Sequence, residues 1–380
     1  MIYTPTYRAA SMVAGKIEKH FRSYTRNKSF CEADSLTMAT LPDTEVIEHI
    51  IDAAFWASLR KEEGHSPKIS IAFLSPEQAE NPLLFKQRLP LNPDMITKIA
   101  PGVERPGIHL GVWPHGDELC VWGTTVKIPN LCFVVDVSEP ALLVIKHRRM
   151  CGFGKYTNVA VLKGDKVKMV DDRAVDFNDS PAILKALLDI DAAPEWHDPV
   201  NVLIQLAVSM RAHRHGGSLL VVPSGSENWK ESIIQPIQYA VSPVFSGISN
   251  MSDVGETDDI YPRGGLVREI EHIAGLTAVD GATVISDRHE LLAFGAKIGR
   301  KRGGEVLDSV AVIEPVEGSS VAVVSPGQIG GTRHISAAQF VYDQRDAVAF
   351  VASQDGYFTV FSWSDARNML MAYRIDTLLL

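Results

Sequence analysis

Two short motifs in the second half of the chain combine residue types that could act on a nucleoside triphosphate. Asp280 precedes Gly281 and Ala282 at the start of an apolar run, and such small residues let a phosphate or a metal approach the backbone closely. The other motif, at residues 330–334, joins a Gly-Gly pair to a hydroxyl, a guanidinium and an imidazole. A carboxylate is a hard ligand for Mg²⁺ or Mn²⁺, and the second motif supplies donors for phosphate oxygens. Together they predict metal-dependent chemistry on a nucleoside triphosphate.

Within the second motif, each residue type has a separate use. Gly330 and Gly331 permit backbone angles that turn amide groups toward an anion, while Thr332 and Arg333 add side-chain donors at the same place. His334 could donate to a phosphate, help to set the surroundings of the metal or pack structurally, and the sequence leaves these three roles open. The combination suits a triphosphate better than a carboxylate ligand.

A third segment places a hydroxyl and a carboxylate after an apolar run. Ser353 follows residues 348–352 and precedes Asp355 and Gly356, which predicts a serine at the end of a strand. At that position its hydroxyl could meet phosphate oxygens.

These motifs resemble those of the diadenylate cyclase (DAC) domain, which carries Asp-Gly-Ala and a Gly-Thr-Arg-His-Arg type of turn. The resemblance extends over roughly residues 198 to 365 and includes the family's order of segments. The matching segments are residues 216–223, 280–282, 291–297, 330–338 and 346–356.

The resemblance implies a fold and an activity. It implies an α/β fold in which a mixed β-sheet flanked by helices forms a DAC-like nucleotide-binding domain over residues 198–380. Two such domains would meet face to face, each holding one ATP, and with Mg²⁺ or Mn²⁺ would form cyclic di-AMP and two pyrophosphates. By the same resemblance, Asp280, Arg333 and His334 are catalytic and Asp280 and Asp355 hold the metal. The nucleotide-binding residues that it implies are Gly281, Ala282, Gly331, Thr332, Arg333, His334 and Ser353.

Two positions depart from the family pattern and keep other functions open. Ile335 occupies the place of a second arginine, and Gln354 that of a glutamate. Loss of a cation that touches phosphate removes roughly 1.5–3 kcal/mol of interaction. One alternative is therefore a catalytically silent receptor for a nucleotide or a cyclic dinucleotide. Another is a nucleotidyltransferase with a different base or product, because no segment identifies an adenine-binding pocket. We expect the enzyme, because Asp280 and Arg333 are both present.

Composition sets the broad class of the protein. The length of 380 residues predicts two domains, and the net charge of −9 argues against nucleic acid and anionic membranes as partners. The four cysteines lack metal-site spacing, no apolar run reaches the roughly 18 residues needed to cross a bilayer, and the N-terminus lacks the features of a signal peptide. We therefore expect a cytoplasmic protein whose partners are ATP and a second copy of itself.

The first half predicts a separate α+β domain over residues 1–190, because it has a helix and a set of strands of its own. Turn formers and acids between Asp189 and Pro199 predict the domain boundary there. This half resembles the domains that precede DAC domains in some bacterial proteins, which implies a sensor. The predicted helix is Thr44–Leu59, and the strands are 69–74, 108–112, 118–127, 132–137, 141–146, 159–163 and 166–170.

The elements predicted beyond this point must position the motifs. A helix over 200–212, a strand over 218–222 and a helix over 266–274 are expected. Residues 229–245 predict a second helical region interrupted near Pro236, and residues 247–262 a polar surface insertion. Residues 181–188 predict a short helix before the boundary.

Overall fold

The structure is a computed structural model that describes residues 4–27, 38–149, 156–190, 198–253 and 263–380. The chain divides into two compact units, unit 1 over Met1–Val170 with Leu380, and unit 2 over Asp171–Leu379. Both are α/β, each with one mixed β-sheet and packed helices. In the described parts of the chain, no helix combines the length and the apolar character that crossing a membrane requires.

Unit 1 packs two long helices on an eight-stranded mixed sheet. Its helices are α1 (Arg8–Asn27), α2 (Thr44–Ser58) and α3 (Pro93–Ile99). Its strands are β1 (Ile69–Phe73), β2 (Leu83–Pro90), β3 (His109–His115), β4 (Glu118–Thr125), β5 (Phe133–Glu139), β6 (Leu142–Arg148), β7 (Tyr156–Lys163) and β8 (Lys166–Met169). The strand order is β2-β4-β3-β1-β5-β6-β7-β8, and β1 and β3 are parallel.

Alternation along the strands decides which face of this sheet carries the main core. Phe133 and Val135 of β5 are buried with Ile17 and Phe21 of α1, because every second side chain of a strand points to the same face. Asp43 caps α2 by accepting a hydrogen bond from the backbone of Val46, which fixes the start of that helix where the sequence predicts it.

Unit 2 contains the segments that carry the motifs. Its helices are α4 (Ala182–Leu187), α5 (Pro199–Ala212), α6 (Gly247–Asp253), α7 (Arg263–Leu276) and α8 (Thr332–Asp343). Its strands are β9 (Gly217–Val222), β10 (Tyr239–Phe245), β11 (Ala282–Ser286), β12 (Leu291–Ala296), β13 (Val310–Ile313), β14 (Ala322–Val324), β15 (Val348–Ala352), β16 (Phe358–Ser364) and β17 (Met369–Arg374).

The sheet of unit 2 has the order β10-β12-β11-β9-β15-β16-β17-β13-β14. Strand β9 is parallel to β11, and β13 to β17, whereas the other neighbours are antiparallel. Helix α8 covers one face, where Phe340 and Val341 pack with Leu220 and Val351. The alternate residues of β9 and β15 face the other side of the sheet, and α5 and α7 contact β15 and β12.

The division between the units precedes the predicted boundary, which lies inside unit 2. Asp171 donates its backbone N–H to the carbonyl of Pro315 at 3.0 Å, and Ser364 donates to the carboxylate of Asp179. Helix α4 packs against α5. Residues 171–190 therefore belong with the second sheet, and the turn formers between Asp189 and Pro199 connect two helices of one unit.

One predicted helical region is wrong. Residues 229–245 form a 3₁₀ turn at Asn228–Ser232 followed by strand β10, which lies at the edge of the sheet. An edge strand tolerates Pro243 because one side of it needs no backbone donor. The elements that the sequence did not predict are helices α1, α3 and α8 and strands β2, β13, β14, β16 and β17. The predicted insertion begins with helix α6, and its residues 254–262 lie outside the described residues.

Candidate functional site

The predicted site residues come together at one end of the unit 2 strands. Strands β9 and β11 run parallel and both begin there, whereas β15 runs antiparallel and ends there, with Ala352 opposite Gly217. Strand β12 also ends there, with Ala296 opposite Ala282. The turns that precede β11 and follow β15 therefore face the same space, although they are far apart in sequence.

A cavity of about 1080 Å³ opens at this end of the strands. This volume is at the upper limit of ordinary ligand pockets and is sufficient for a nucleoside triphosphate. Eight of the predicted site residues line it: Asp280, Gly281, Gly331, Thr332, Arg333, His334, Ser353 and Asp355. The ninth, Ala282, is only 1% exposed and belongs to the hydrophobic core beneath.

Asp280 is held at the mouth of the cavity by the turn that follows it. Gly281 has φ +113°, and a Cβ there would lie 2.4 Å from the carbonyl carbon of Gly295, so only glycine fits. The Asp280 side chain is 87% exposed and accepts a hydrogen bond from Nζ of Lys297. That hydrogen bond and the charge of Lys297 lower the pKa of Asp280, and the charge of Arg333 adds to the effect. Asp280 is therefore an ionised carboxylate at neutral pH.

The Gly-Gly motif forms the start of helix α8, whose first turn carries Thr332, Arg333 and His334. The first backbone N–H groups of a helix have no intrahelical acceptor, and Gly331 at the N-cap has no side chain to accept from them. The N-terminus also carries the positive end of the helix dipole. Since Gly331 and Thr332 line the cavity, this end of α8 suits a phosphate group.

His334 is buried against the glycines that precede it. A Cβ on Gly330 would lie 2.6 Å from its Nδ1, and its ring meets Phe361 edge-on with the ring centroids 6.2 Å apart. Burial, and then the charge of Arg374, lower the pKa of His334. The imidazole is therefore neutral near pH 7, and it can offer a phosphate a hydrogen bond but no positive charge.

Arg333 extends from α8 toward the start of β9. A Cβ on Gly216 would lie 3.2 Å from Nη1 of Arg333, and Gly216 has φ +71°. The guanidinium therefore lies close over a backbone position that favours glycine. Gly216, which precedes β9, therefore leaves the space that the Arg333 guanidinium occupies.

The turn after β15 presents both of its predicted residues to the cavity. Gly356 donates its N–H to the carbonyl of Ser353 at 3.2 Å, and Asp355 donates its N–H to the Ser353 hydroxyl at 3.1 Å. Gln354 also lines the cavity and donates to the carbonyl of His215 at 3.3 Å. Next to Gln354, Asp355 presents a carboxylate at the cavity wall.

Ile335 lies on α8 with 41% of its surface exposed and does not line this cavity. Other lining residues were not identified from the sequence, and two of them, Lys297 and Arg374, are cations at strand ends. Both follow apolar runs, and Lys297 is the last residue of the matching segment 291–297, but the sequence assigns neither a role in the site. The polar lining residues to which the sequence gives no role are Ser218, Lys297, Ser336, Tyr357, Thr359 and Arg374.

The carboxylates of the cavity suit a metal that arrives with a substrate. The described residues contain no group of three or more His, Cys, Asp or Glu side chains that could hold a metal ion by themselves. Mg²⁺ is commonly bound by one or two carboxylates together with substrate phosphates and water. Asp280 and Asp355, which line one cavity, match that pattern rather than a preformed metal cage.

Unit 1 has a smaller cavity of about 260 Å³ between the start of α2 and the β3–β4 turn. Three carboxylates and one imidazole line it, from Glu45, Asp117, Glu118 and His49. Its volume is below the usual range for ligands of nucleotide size, and carboxylates repel phosphates. Of these two cavities, the one in unit 2 is the better place for a nucleotide.

Residues 36–126, which lie in unit 1, match the family model described as "Probable sensor domain DACNV". The chain therefore carries a sensor-type domain in its first half. Among solved structures, one match is titled the crystal structure of the hypothetical membrane spanning protein from Bacillus cereus, at 14% identity and a TM-score of 0.27. The matched region covers 46% of this chain and 63% of the Bacillus cereus chain, so this chain spans less than two thirds of the length of that protein. No curated protein matches the chain.

Proposed function

We propose that unit 2 is a diadenylate cyclase domain, which condenses two ATP molecules into cyclic di-AMP and two pyrophosphates at a face-to-face dimer. The observation that carries the proposal is the convergence of the three motifs on one cavity of about 1080 Å³. The sensor-type match of residues 36–126 supports a regulatory role for unit 1. In this proposal unit 1 modulates the rate and supplies none of the chemistry.

The chemistry requires two nucleotides, which is why we propose a dimer. The 3′-oxygen of one ATP forms a bond to the α-phosphorus of the other, while the bond from that phosphorus to the oxygen bridging the β-phosphate breaks. Pyrophosphate leaves with the electron pair and the hydroxyl proton passes to solvent. A second, identical step closes the ring. Attacking and leaving oxygens must be in line, so the two sites must face each other.

The residues of one cavity have separable roles in this reaction. Asp280 and Asp355 would hold Mg²⁺ or Mn²⁺, which supplies charge neutralisation at the α-phosphate when bound. Arg333 and the N–H groups at the start of α8 bind and orient the phosphate chain. Ser353 and Thr332 add hydroxyl donors, and neutral His334 donates one hydrogen bond to the departing phosphates.

The test is incubation of the purified full chain with ATP and Mg²⁺ or Mn²⁺, with products analysed by mass spectrometry. Asp280→Asn removes the negative charge at nearly constant volume, and we expect it to abolish cyclic di-AMP while leaving the fold intact. Asp365→Asn is the matched control. Asp365 is exposed in the turn between β16 and β17, at the end of these strands that lies away from the cavity. Asp280→Asn with wild-type turnover and unchanged metal dependence would refute the assignment.

A second candidate function is a receptor that binds a nucleotide or a cyclic dinucleotide without turning it over. The observation that favours it is the ion pair between Lys297 and Asp280, because a carboxylate already neutralised by a lysine has less need of a metal. The same incubation separates the two functions. A receptor binds ATP or cyclic di-AMP and yields no product with either metal at any protein concentration.

A further inference from the structure

Arg374 is a cation of the unit 2 cavity that lies in none of the motifs. It is the last residue of β17, opposite Thr359 of β16, and both residues line the cavity. The side chain is half-buried at the same end of the strands as Asp280 and Ser353. The position of this guanidinium therefore makes it part of the candidate site.

The charge of Arg374 has no anionic partner among the residues that the structure describes. Its Nη2 donates to the carbonyl of Ile329 at 3.5 Å, a long hydrogen bond just before the start of α8. None of the ion pairs in these parts of the chain includes Arg374 or Arg333. A guanidinium that lines an open cavity without a carboxylate partner can pair with an anion from outside the chain.

Strand order locates Arg374 at the opposite side of the cavity from Asp280. Strand β17 is separated from β11 by β9, β15 and β16, so the two backbones are four strand spacings, or roughly 19 Å, apart. The start of α8 is near Arg374, since Arg374 contacts Ile329, whereas Arg333 is near Asp280. A phosphate chain bound with one end at Asp280 would therefore pass the start of α8 and end toward Arg374.

We propose that Arg374 binds the terminal phosphates of the substrate, which leave as pyrophosphate, and so makes the site selective for a nucleoside triphosphate. The inference rests on the proposed function, because it takes the α-phosphate to lie at Asp280. Arginine suits the role because its planar fork donates two hydrogen bonds to one phosphate. A cyclic dinucleotide has no terminal phosphates, so Arg374 distinguishes substrate from product.

The test measures binding of ATP, ADP, AMP and cyclic di-AMP by isothermal titration calorimetry with Mg²⁺ present. Arg374→Gln removes the charge and keeps a polar side chain, and Arg374→Lys keeps the charge without the fork. Arg367→Gln is the matched control, because Arg367 is exposed at the other end of the same hairpin. We expect Arg374→Gln to weaken ATP binding by about ten-fold or more. AMP and cyclic di-AMP affinities should stay unchanged, Arg374→Lys should lie between, and Arg367→Gln should match wild type.

Two results would overturn the inference. Equal losses for ATP and AMP would show that Arg374 supports the fold of the site rather than the terminal phosphates, and unchanged ATP affinity would show that it does not touch the ligand. Arg374→Lys guards against simple misfolding, since it retains a cation at the same position. A wild-type protein that binds none of the four nucleotides would instead overturn the proposed function, and this inference with it.

Discussion

Substitution of the two adjacent glycines before α8 by alanine separates side-chain packing from backbone freedom at this turn. A Cβ on Gly330 would lie 2.6 Å from Nδ1 of His334, whereas a Cβ on Gly331 meets nothing within 4 Å. Gly331 also has φ −73° and ψ −171°, which any residue can adopt. We therefore expect Gly330→Ala to displace the imidazole and Gly331→Ala to be tolerated.

The expected magnitudes follow from these contacts. Overpacking of a filled site costs about 1–3 kcal/mol of unfolding free energy, and displacement of the His334 ring would disturb its edge-on contact with Phe361. For Gly331→Ala, the poorer N-cap preference of alanine opposes a gain of about 0.4–1 kcal/mol from the stiffer unfolded chain. The net change for Gly331→Ala should remain within about 0.5 kcal/mol.

Differential scanning calorimetry on the full chain is the assay. A domain of 150–250 residues shifts its Tm by about 2–4 °C per kcal/mol, and unit 2, Asp171–Leu379, falls in this range. Gly330→Ala should thus lower the Tm of the unit 2 transition by about 2–12 °C and weaken ATP binding. The unit 1 transition is the internal reference. Equal melting of the two variants would refute the packing of His334 on Gly330, and with it the assigned reason for that glycine.

Two further predictions concern charge. Lys297→Met frees Asp280 from its ion pair and should tighten Mn²⁺ binding. The gain should be modest because the pair is exposed. A Mn²⁺ titration followed by electron paramagnetic resonance measures it, and unchanged affinity would show that Lys297 does not compete with the metal. Burial lowers the pKa values of His213, His289 and His334, so below the unfolded pKa of about 6.5 the unfolded chain binds more protons than the folded one. The neutral histidines should therefore contribute fully to the stability of unit 2 above that pH, and this contribution should be lost as the pH falls. The measurement is the Tm of the unit 2 transition at pH 7.5 and 5.5 for wild type and His334→Gln. A wild-type Tm that is equal or higher at pH 5.5 would contradict this.

Local motifs predict much of the site, because most of its residues lie beside strand ends that the sequence marks. Asp280 precedes an apolar run and Ser353 follows one, and the structure places both on one cavity. Arg374 and Lys297 could not be found in this way. A single cation after an apolar run is common, and only the strand order, with β17 beside β16, brings Arg374 to the cavity.

The two largest differences in secondary structure have different causes. Residues 229–245 contain apolar side chains at spacings that suit either a helix or a strand, and pairing of β10 with β12 decides between them. Helix α1 was not predicted, although its apolar residues follow helical spacing. Four of them, Ala10, Val13, Ala14 and Ile17, are buried in the core of unit 1. The first case needed tertiary information, whereas the second was present in the sequence.

The geometry also changes what Ile335 means for the choice between enzyme and receptor. The sequence suggested that the missing arginine would deprive the phosphates of a cation, but position 335 is exposed on α8 and does not line the cavity. Lys297, Arg333 and Arg374 line it, against the carboxylates of Asp280 and Asp355, so positive charge remains in excess there. A cation at position 335 would act on whatever faces the exposed side of α8. ATP binding within one copy should therefore not depend on a cation at position 335.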